Sequence, residues 1–421
     1  MKVKIGIVGL GFFSDDFIGL FHQHPDVEEV VVCDLVKERV EQSMKKHGLK
    51  RGFTSMDEML EQAGDLNCIG IFTQRHLHSK LVLQALKAGK HVFSAVPIAC
   101  TVEEIGEIIE AVKETRLVYM TGETCYYYPC AMYCRKAYRE GKIGKFLYGE
   151  SQYYHDISEM YVVFEHSGGK DWRRDAGIPP MFYPTHSVSM LFSAVDEYAL
   201  KVSCMGFRDN HEDQIYGEGK NHWDNPFSNE TAIFQMSGGG VARINEFRRV
   251  GLNKPSSYIT CMYGDKGAYE GSITQHTIQQ GRAVTDDPTI DYVSDEIMPL
   301  HYLEKEKSDA FDIHRDPISV PSTLGYSAIH PVDRLPKAFR DIKLGGHNNS
   351  HPFLVDDFVR AVVDDKLPPN NAWDSARYMI PGIIAHESAL RGGEVMDIPD
   401  FGDAPADWER LTYEKKPHYE D

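Results

Sequence analysis

Residues 9–14 read Gly9-Leu10-Gly11-Phe12-Phe13-Ser14, and they lie between an apolar run at residues 3–8 and a helical pattern. A glycine at position 9 permits a tight turn, and a glycine at position 11 lets the backbone approach a pyrophosphate at the positive end of the helix. Ser14 stands where a third glycine is usual, and it is small enough for close helix packing. These residues therefore predict a dinucleotide-binding turn, with Gly9, Gly11, Phe12 and Phe13 against the cofactor.

The first 125 residues alternate short apolar runs with amphipathic helical patterns, which is typical of a doubly wound parallel sheet. The predicted strands are residues 3–8, 30–33, 68–72, 91–93 and 117–121, and the clearest helices are 79–88 and 102–113. Asp34 ends the second strand, where a carboxylate accepts hydrogen bonds from the adenosine ribose and repels a 2′-phosphate. We predict an α/β Rossmann domain over residues 1–125 that binds NAD, although Lys37 and Arg39 keep NADP open.

Residues 126–421 have a different texture, in which apolar and aromatic strand patterns follow one another through tight turns. The predicted strands are 146–154, 201–205, 231–236, 241–248 and 257–263. Residues 270–350 are polar and rich in proline and aspartate, so long loops that cover a site are expected there. Helical patterns return at 353–363 and 372–390. The second part is predicted to be an α+β domain with an open, largely antiparallel sheet.

The composition narrows the class of partner. The 421 residues carry 45 basic and 63 acidic side chains, a net charge of −18, which disfavours nucleic acid and anionic membranes as partners. The densest basic group, Arg243, Arg248 and Arg249, is expected on a solvated strand face. No apolar run is long enough to span a bilayer, and the N-terminus lacks a secretory pattern. We therefore expect a cytoplasmic protein whose eight cysteines are reduced thiols.

Two further segments of the first domain carry a family resemblance. Thr73-Gln74-Arg75-His76-Leu77-His78 resembles the Thr-Pro-x-x-x-His segment of the Gfo/Idh/MocA superfamily, named after glucose–fructose oxidoreductase, inositol dehydrogenase and MocA. Gly89-Lys90-His91-Val92-Phe93, followed by Pro97, resembles that superfamily's Gly-Lys-His-Val-x-x-Glu-Lys-Pro segment. The resemblance implies a Rossmann domain followed by an open sheet domain, a homo-oligomer, and cofactor contacts from Thr73, His78, Ala95 and Pro97.

Two catalytic groups of ordinary dehydrogenases in this superfamily are absent. Val96 stands where a lysine assists proton removal, and Phe182 stands where an aspartate precedes the active-site histidine by four residues. Tyr183-Pro184-Thr185-His186 is similar to the Tyr-Pro-Thr-His motif of the superfamily's NAD-dependent α-N-acetylgalactosaminidases, which also carry valine before the proline. Ala95 departs from that branch, which has glutamate there. The resemblance therefore implies the chemistry of that branch and not its N-acetylgalactosamine specificity.

The same resemblance implies roles for individual side chains. His186 is the candidate general base, because histidine exchanges protons near neutral pH, and Tyr183 is a candidate for a second proton transfer. Glu123 lies at a similar spacing to an active-site glutamate and would bind sugar hydroxyls or act as an acid. Tyr153 and the segment Trp172-Arg173-Arg174 are predicted to bind the substrate.

The implied substrate is a sugar or a glycoside. In the glycosidase branch, NAD⁺ takes a hydride from a ring carbon, a base removes the neighbouring proton, the anomeric substituent leaves, water adds, and the hydride returns. A net sugar or cyclitol dehydrogenase is an alternative, and so is a non-catalytic sensor that binds NAD. The histidine pairs lack a convincing set of further ligands, so no metal site is predicted; these pairs are His22/His24, His76/His78 and His347/His351.

Overall fold

The computed structural model of the chain describes residues 2–251, 256–272, 275–281, 288–299, 325–342 and 346–413. Within these ranges the chain forms two β-sheets with helices packed against them. In the described part of the chain, no helix is long and apolar enough to cross a membrane. All eight cysteines are free and buried, as the sequence predicts.

The first sheet is the predicted doubly wound parallel sheet. Its strands are β1 (Val3–Val8), β2 (Val27–Cys33), β3 (Gly52–Phe53), β4 (Cys68–Ile71), β5 (His91–Ser94) and β6 (Tyr119–Thr121). They are all parallel and lie in the order β3-β2-β1-β4-β5-β6. β3 was not predicted, since two residues are too short to give an apolar run. The strand order reverses between β1 and β4, and the carboxyl ends of strands at such a point form the usual ligand crevice.

The second sheet is mostly antiparallel, which confirms the predicted class of this part. Its strands are β7 (Phe146–Tyr154), β8 (Ala199–Arg208), β9 (Phe227–Met236), β10 (Val241–Phe247), β11 (Ser256–Gly264), β12 (Gly267–Gly271), β13 (His276–Gln280), β14 (Thr289–Tyr292) and β15 (Met396–Asp397). Their order is β14-β13-β12-β11-β7-β10-β9-β8-β15. Only the pair β7 and β10 is parallel among the described strands of this sheet.

Helices cover the sheets and carry part of the site. The α-helices are Ser14–Gln23, Lys37–His47, Met56–Gln62, His78–Lys87, Val102–Thr115, Pro129–Arg139, Tyr161–Gly168, Trp172–Ala176, Pro184–Val195, Ser294–Ile297, Lys337–Arg340, Gly346–Asp364 and Ala372–Leu390. The helix Pro184–Val195 was not predicted. Nearly all of its side chains are buried, so it lacks the apolar stripe and polar face that mark a surface helix in a sequence.

The expectation of long loops over residues 270–350 is wrong for part of that range. β13 and β14 extend the second sheet, and two short helices follow them. β14 lies at the edge of the sheet with all four side chains exposed, so it shows no alternation of apolar and polar residues. Residues 273–274, 282–287, 300–324 and 343–345 lie outside the described residues.

Buried His330 makes the stability of the fold depend on pH. Its Nδ1 accepts a hydrogen bond from the backbone N–H of Ser327, and its Nε2 lies 3.1 Å from the carbonyl oxygen of Tyr127. Burial lowers the pKa of His330 from 6.5 to about 4, so the folded state keeps the ring neutral. Since the unfolded chain binds the proton more readily, stability is full above pH 6.5 and falls by up to about 3 kcal/mol as the pH approaches 4.

The variant His330→Gln should flatten this pH dependence, because a side-chain amide can make both contacts without titrating. Urea unfolding at stepped pH between 6.5 and 4 measures the effect. The exposed His22→Gln is the control and should keep the wild-type slope. An unchanged slope in His330→Gln would assign the acid sensitivity to other groups, of which His276, also lowered to a pKa of about 4 by burial, is one.

Candidate active site

A large cleft lies between the carboxyl ends of β1 and β4 and the second part of the chain. Its volume is about 1670 Å³, whereas a pocket for one small molecule typically has roughly 300–1,000 Å³. Residues 8–13, 33–36 and 72–75 line one side, and residues from both the second sheet and its helices line the other. The cleft therefore has room for a dinucleotide and a second ligand side by side.

The turn after β1 fits a dinucleotide. Gly9 has a φ of +94°, and a Cβ there would lie 2.6 Å from the carbonyl oxygen of Phe72, so only glycine is accommodated. Asp34 lines the cleft after β2, and its carboxylate accepts the backbone N–H groups of Leu10 (2.8 Å) and Val36 (2.9 Å). These bonds fix the carboxylate at the cleft and leave lone pairs for ribose hydroxyls.

Other predicted cofactor residues also line this side of the cleft. Gly11, Phe12, Thr73 and Ala95 are among them, and the Phe12 side chain is 78% exposed. The Thr73 hydroxyl is buried, and within the described residues it has no hydrogen-bond partner. Such a group is expected to find its partner in a bound ligand. The residues present therefore fit NAD.

Phe13 and His78 line the cleft, and both side chains, like Pro97, also make contacts within the protein. The Phe13 ring packs against the Phe72 ring at 6.1 Å. The buried His78 ring lies 2.8 Å from the Pro97 carbonyl oxygen and 3.1 Å from the Thr73 carbonyl oxygen. Burial lowers the pKa of His78, which keeps its ring neutral. These side chains are engaged with protein groups, so they hold the cofactor loops in place.

Glu123 and His186 form a buried pair beside the cleft. Glu123 follows β6 and is 1% exposed, and His186, in the helix Pro184–Val195, is 5% exposed. Oε1 of Glu123 lies 2.9 Å from Nδ1 of His186 and accepts the backbone N–H of Cys125 at 2.8 Å. The carboxylate thus favours a proton on Nδ1 and leaves Nε2 for proton exchange in the cleft, which His186 lines.

Tyr183 lies between two guanidinium groups. Nε of Arg75 donates a hydrogen bond to the Tyr183 phenol oxygen, and Cζ of Arg75 lies 4.7 Å from the ring centre. Cζ of Arg248 lies 5.1 Å from the same ring. These contacts fix the phenol of Tyr183 in the cleft, where it can exchange a proton with a substrate.

The expectation that Arg243, Arg248 and Arg249 lie on a solvated strand face is wrong for Arg248. It is 2% exposed and lines the cleft, and its Nη2 donates to Oε2 of buried Glu246 at 2.8 Å. Burial raises the pKa of Glu246 to about 8. Nη1 of Arg248 is buried and lacks a hydrogen-bond partner in the part of the chain that the structure describes. It is therefore available as a donor to a substrate oxygen.

Tyr153 reaches the cleft, as predicted for a substrate-binding residue. Its ring meets the His186 ring edge to face, with centres 4.9 Å apart, and its hydroxyl lies 2.8 Å from Nδ1 of His155. Burial raises the pKa of Tyr153 well above its ordinary value of 10, so its phenol stays protonated. It can hold a substrate oxygen by a hydrogen bond.

The structure does not bring Trp172, Arg173 and Arg174 to the cleft lining, contrary to the substrate contacts predicted for them. Trp172 is buried in a small separate core with Ile215. The Arg173 guanidinium lies 4.5 Å from the Trp172 ring on the protein surface, and Nε donates to a backbone carbonyl. Similar spacing in the sequence was the only basis for this assignment.

His347 is a cleft residue that the sequence analysis missed. Its ring lies 6.5 Å from the His186 ring and 5.7 Å from the Phe13 ring. The backbone is left-handed at positions 347, 348 and 349, with φ of 53°, 54° and 55°, a conformation that asparagine tolerates better than most residues. The pair Asn348-Asn349 was therefore the sequence feature that could have indicated a left-handed turn beside His347. Burial lowers the pKa of His347 well below 6.5, so the ring is neutral beside His186.

Comparison with known families agrees with this geometry. Residues 3–123 match the family described as oxidoreductase family, NAD-binding Rossmann fold (Gfo/Idh/MocA). The match confirms the predicted resemblance, the Rossmann fold and NAD as the cofactor. A glycosyl hydrolase family 109 protein from Streptomyces filamentosus is 23% identical over 428 residues, which cover 95% of this chain and 77% of the relative.

Solved structures share the two-part fold. An oxidoreductase domain protein from Kribbella flavida aligns with a TM-score of 0.68 at 17% identity, covering 95% of this chain and 100% of that one. A levoglucosan dehydrogenase in complex with NADH aligns with a TM-score of 0.69 at 16% identity, again over 95% and 100% of the two chains. At such identities the likeness establishes the arrangement of the two sheets.

Proposed function

Because residues 3–123 match the Gfo/Idh/MocA oxidoreductase family with its NAD-binding Rossmann fold, we propose that the chain is an NAD-dependent enzyme that cleaves a glycoside without net oxidation. The observation that carries the proposal is the Glu123–His186 pair beside a cleft in which Val96 replaces the usual lysine. The similarity to a family 109 glycosyl hydrolase over 95% of the chain supports it.

Gly9, Gly11, Asp34 and Thr73 would hold the cofactor, through the turn, the ribose contact and the unpartnered hydroxyl described above. Bound NAD⁺ supplies the acceptor, and later the donor, of a hydride from a sugar ring carbon. The protein supplies the positions of the sugar oxygens and the proton transfers.

His186 takes the proton of the reacting sugar hydroxyl at Nε2, while Glu123 holds the ring by its Nδ1. Tyr183 exchanges a proton with the carbon next to the reacting one, and its contacts with Arg75 and Arg248 hold the phenol in the cleft. Arg248 and Tyr153 bind substrate oxygens from the far wall of the cleft. These groups together replace the missing lysine and aspartate.

The experiment that tests this function is a panel of nitrophenyl glycosides incubated with the enzyme and NAD⁺, with aglycone and NADH recorded in the same cuvette. We expect aglycone release without stoichiometric NADH. We also expect solvent deuterium at the sugar carbon next to the reacting one, because proton removal there precedes loss of the aglycone.

The second candidate function is a net sugar or cyclitol dehydrogenase, which the fold shared with levoglucosan dehydrogenase favours. NADH that accumulates with no aglycone would establish it. A panel on which neither signal appears, despite measurable NAD⁺ binding, would favour the sensor, although a sensor has little use for a buried carboxylate–histidine pair.

The domain limits and assembly are also proposals. We place the domains at 1–125 and 126–421, since β6 ends at Thr121 and the second sheet begins at Phe146. On β8 and β9, the side chains of Met205, Phe207 and Ile233 are exposed on one face of that sheet. Apolar side chains grouped in this way support a contact between copies of the chain in a cytoplasmic homo-oligomer.

A further inference from the structure

Outside the cleft, His76, Asp175 and His222 bring three ligand atoms within 4.8 Å of one another. Nδ1 of His76 lies 3.2 Å from Oδ1 of Asp175, and Nε2 of His222 lies 3.5 Å from the same oxygen. The centres of the two imidazole rings lie 4.7 Å apart, and the ring planes are tilted by 39°. We propose that these three residues bind a divalent transition metal ion of the zinc type, which ties the loop after β4 to the second domain.

The distances fit shared coordination of one ion. Zinc bonds to histidine nitrogen and carboxylate oxygen of about 2.0–2.1 Å in a tetrahedron place neighbouring ligand atoms about 3.3 Å apart. The two measured separations, 3.2 and 3.5 Å, lie on either side of that value.

The Asp175 carboxylate is an independent sign of a missing partner. The residue is 7% exposed, and its Oδ1 is a buried atom with no hydrogen-bond partner within the ranges that the structure describes. A buried carboxylate oxygen that is left unsatisfied is costly, and a cation between the two imidazoles would satisfy it. Two imidazoles and a carboxylate are donors that zinc and its neighbours prefer.

The ligands are held before any ion arrives. Asn221 fixes the loop of His222, since its side chain donates to the Ile215 and Asn225 carbonyl oxygens and accepts the backbone N–H of Trp223. Gly177 allows the short helix of Asp175 to approach this loop, because a Cβ there would lie 2.5 Å from the Asn221 Cβ.

The site has an open side and joins separate parts of the chain. The side chains of His76 and His222 are 35% and 30% exposed, so a water molecule can complete the coordination. His76 lies in the turn after β4, whereas Asp175 and His222 belong to the second domain. The residue before His76 is Arg75, which binds the Tyr183 phenol, so the ion would also fix one wall of the catalytic cleft.

The test is calorimetric titration of the chelator-treated 421-residue protein with Zn²⁺, with Co²⁺ absorption as a report of coordination. Wild type should bind one ion per chain, and thermal unfolding should shift upward with added Zn²⁺. His76→Gln and His222→Gln should weaken binding at least about 100-fold and abolish the thermal shift. His211→Gln is the matched control: its imidazole also lies 3.2 Å from an aspartate, Asp209, but it is outside the three-residue cluster.

Circular dichroism of the chelator-treated variants checks that they fold. Asp175→Asn, which keeps the size of the side chain, replaces either histidine variant if that variant does not fold. A wild type that binds no Zn²⁺ would overturn the proposal. Zn²⁺ binding that is the same in wild type, His76→Gln and His222→Gln would also overturn it, by assigning the ion to other histidines of the chain. Either result is distinct from a failure of the proposed function, because Zn²⁺ titration reports on the His76–Asp175–His222 site and aglycone release reports on the Glu123–His186 site.

Discussion

Replacing His186 with alanine should lower the rate of aglycone release by about 10²–10⁴-fold, the usual contribution of a general acid or base. The affinity for NAD⁺ should stay nearly unchanged, because the ring lies on the second-domain side of the cleft and touches Tyr153 and Tyr183 rather than the Gly9 turn. Turnover on the best glycoside of the panel and a fluorescence titration with NADH measure the two quantities separately.

Glu123→Gln tests how His186 is held. The amide keeps an oxygen toward Nδ1 but loses the negative charge, so kcat should fall while KM and NADH affinity change little. His211→Ala, which changes an exposed histidine outside the cleft lining, should match wild type. If His186→Ala keeps more than about a tenth of wild-type turnover, the general base is another group, and His347, with its ring 6.5 Å away, is the next to replace.

The cofactor half of the cleft could be predicted from the sequence because the positions of its residues depend on the neighbouring sequence alone. Gly9 and Asp34 each follow a strand, and the turn geometry and the strand end fix where they point. Neither position depends on a distant part of the chain. The helix Pro184–Val195 was missed for the opposite reason, since a helix buried on nearly all sides has no periodic signal of its own.

The catalytic half depends on contacts that no local pattern records. Glu123 and His186 are 63 positions apart, and Asp175 meets His76 and His222 from a third segment. The position of Arg248, in contrast, could have been predicted from the strand pattern. Arg243 and Arg248 are five residues apart, so alternation along a strand places them on opposite faces, and both could not be solvated. The structure shows Arg243 paired with Glu150 and Arg248 in the cleft.

Arg248→Met should lower kcat/KM by about 10²–10³-fold, as expected when one buried donor to a developing negative charge is removed. The variant loses Nη1, a buried donor that has no hydrogen-bond partner among the described residues, and one of the two positive charges beside the Tyr183 ring. Methionine keeps most of the side-chain volume, so the Tyr153 ring, which now lies 4.6 Å from the guanidinium carbon, retains a packing partner. Initial rates over a range of glycoside concentrations measure the loss.

The same variant should change stability in a pH-dependent way. Burial raises the pKa of Glu246 in the folded state to about 8, above the 4.5 of an ordinary glutamate. The protonated carboxyl therefore favours the folded state at low pH, and this stabilisation is lost as the pH rises through 8. Without Arg248 as counter-ion, the ionised carboxylate of Glu246 destabilises the folded state more strongly. Arg248→Met should therefore unfold at a lower urea concentration than wild type at pH 9, and the difference should be smaller at pH 6.

Arg243→Met, on the other face of the strand, is the control and should keep both the wild-type kcat/KM and the wild-type pH dependence. Wild-type kcat/KM in Arg248→Met would show that the substrate takes its hydrogen bonds elsewhere and that Arg75 alone serves Tyr183.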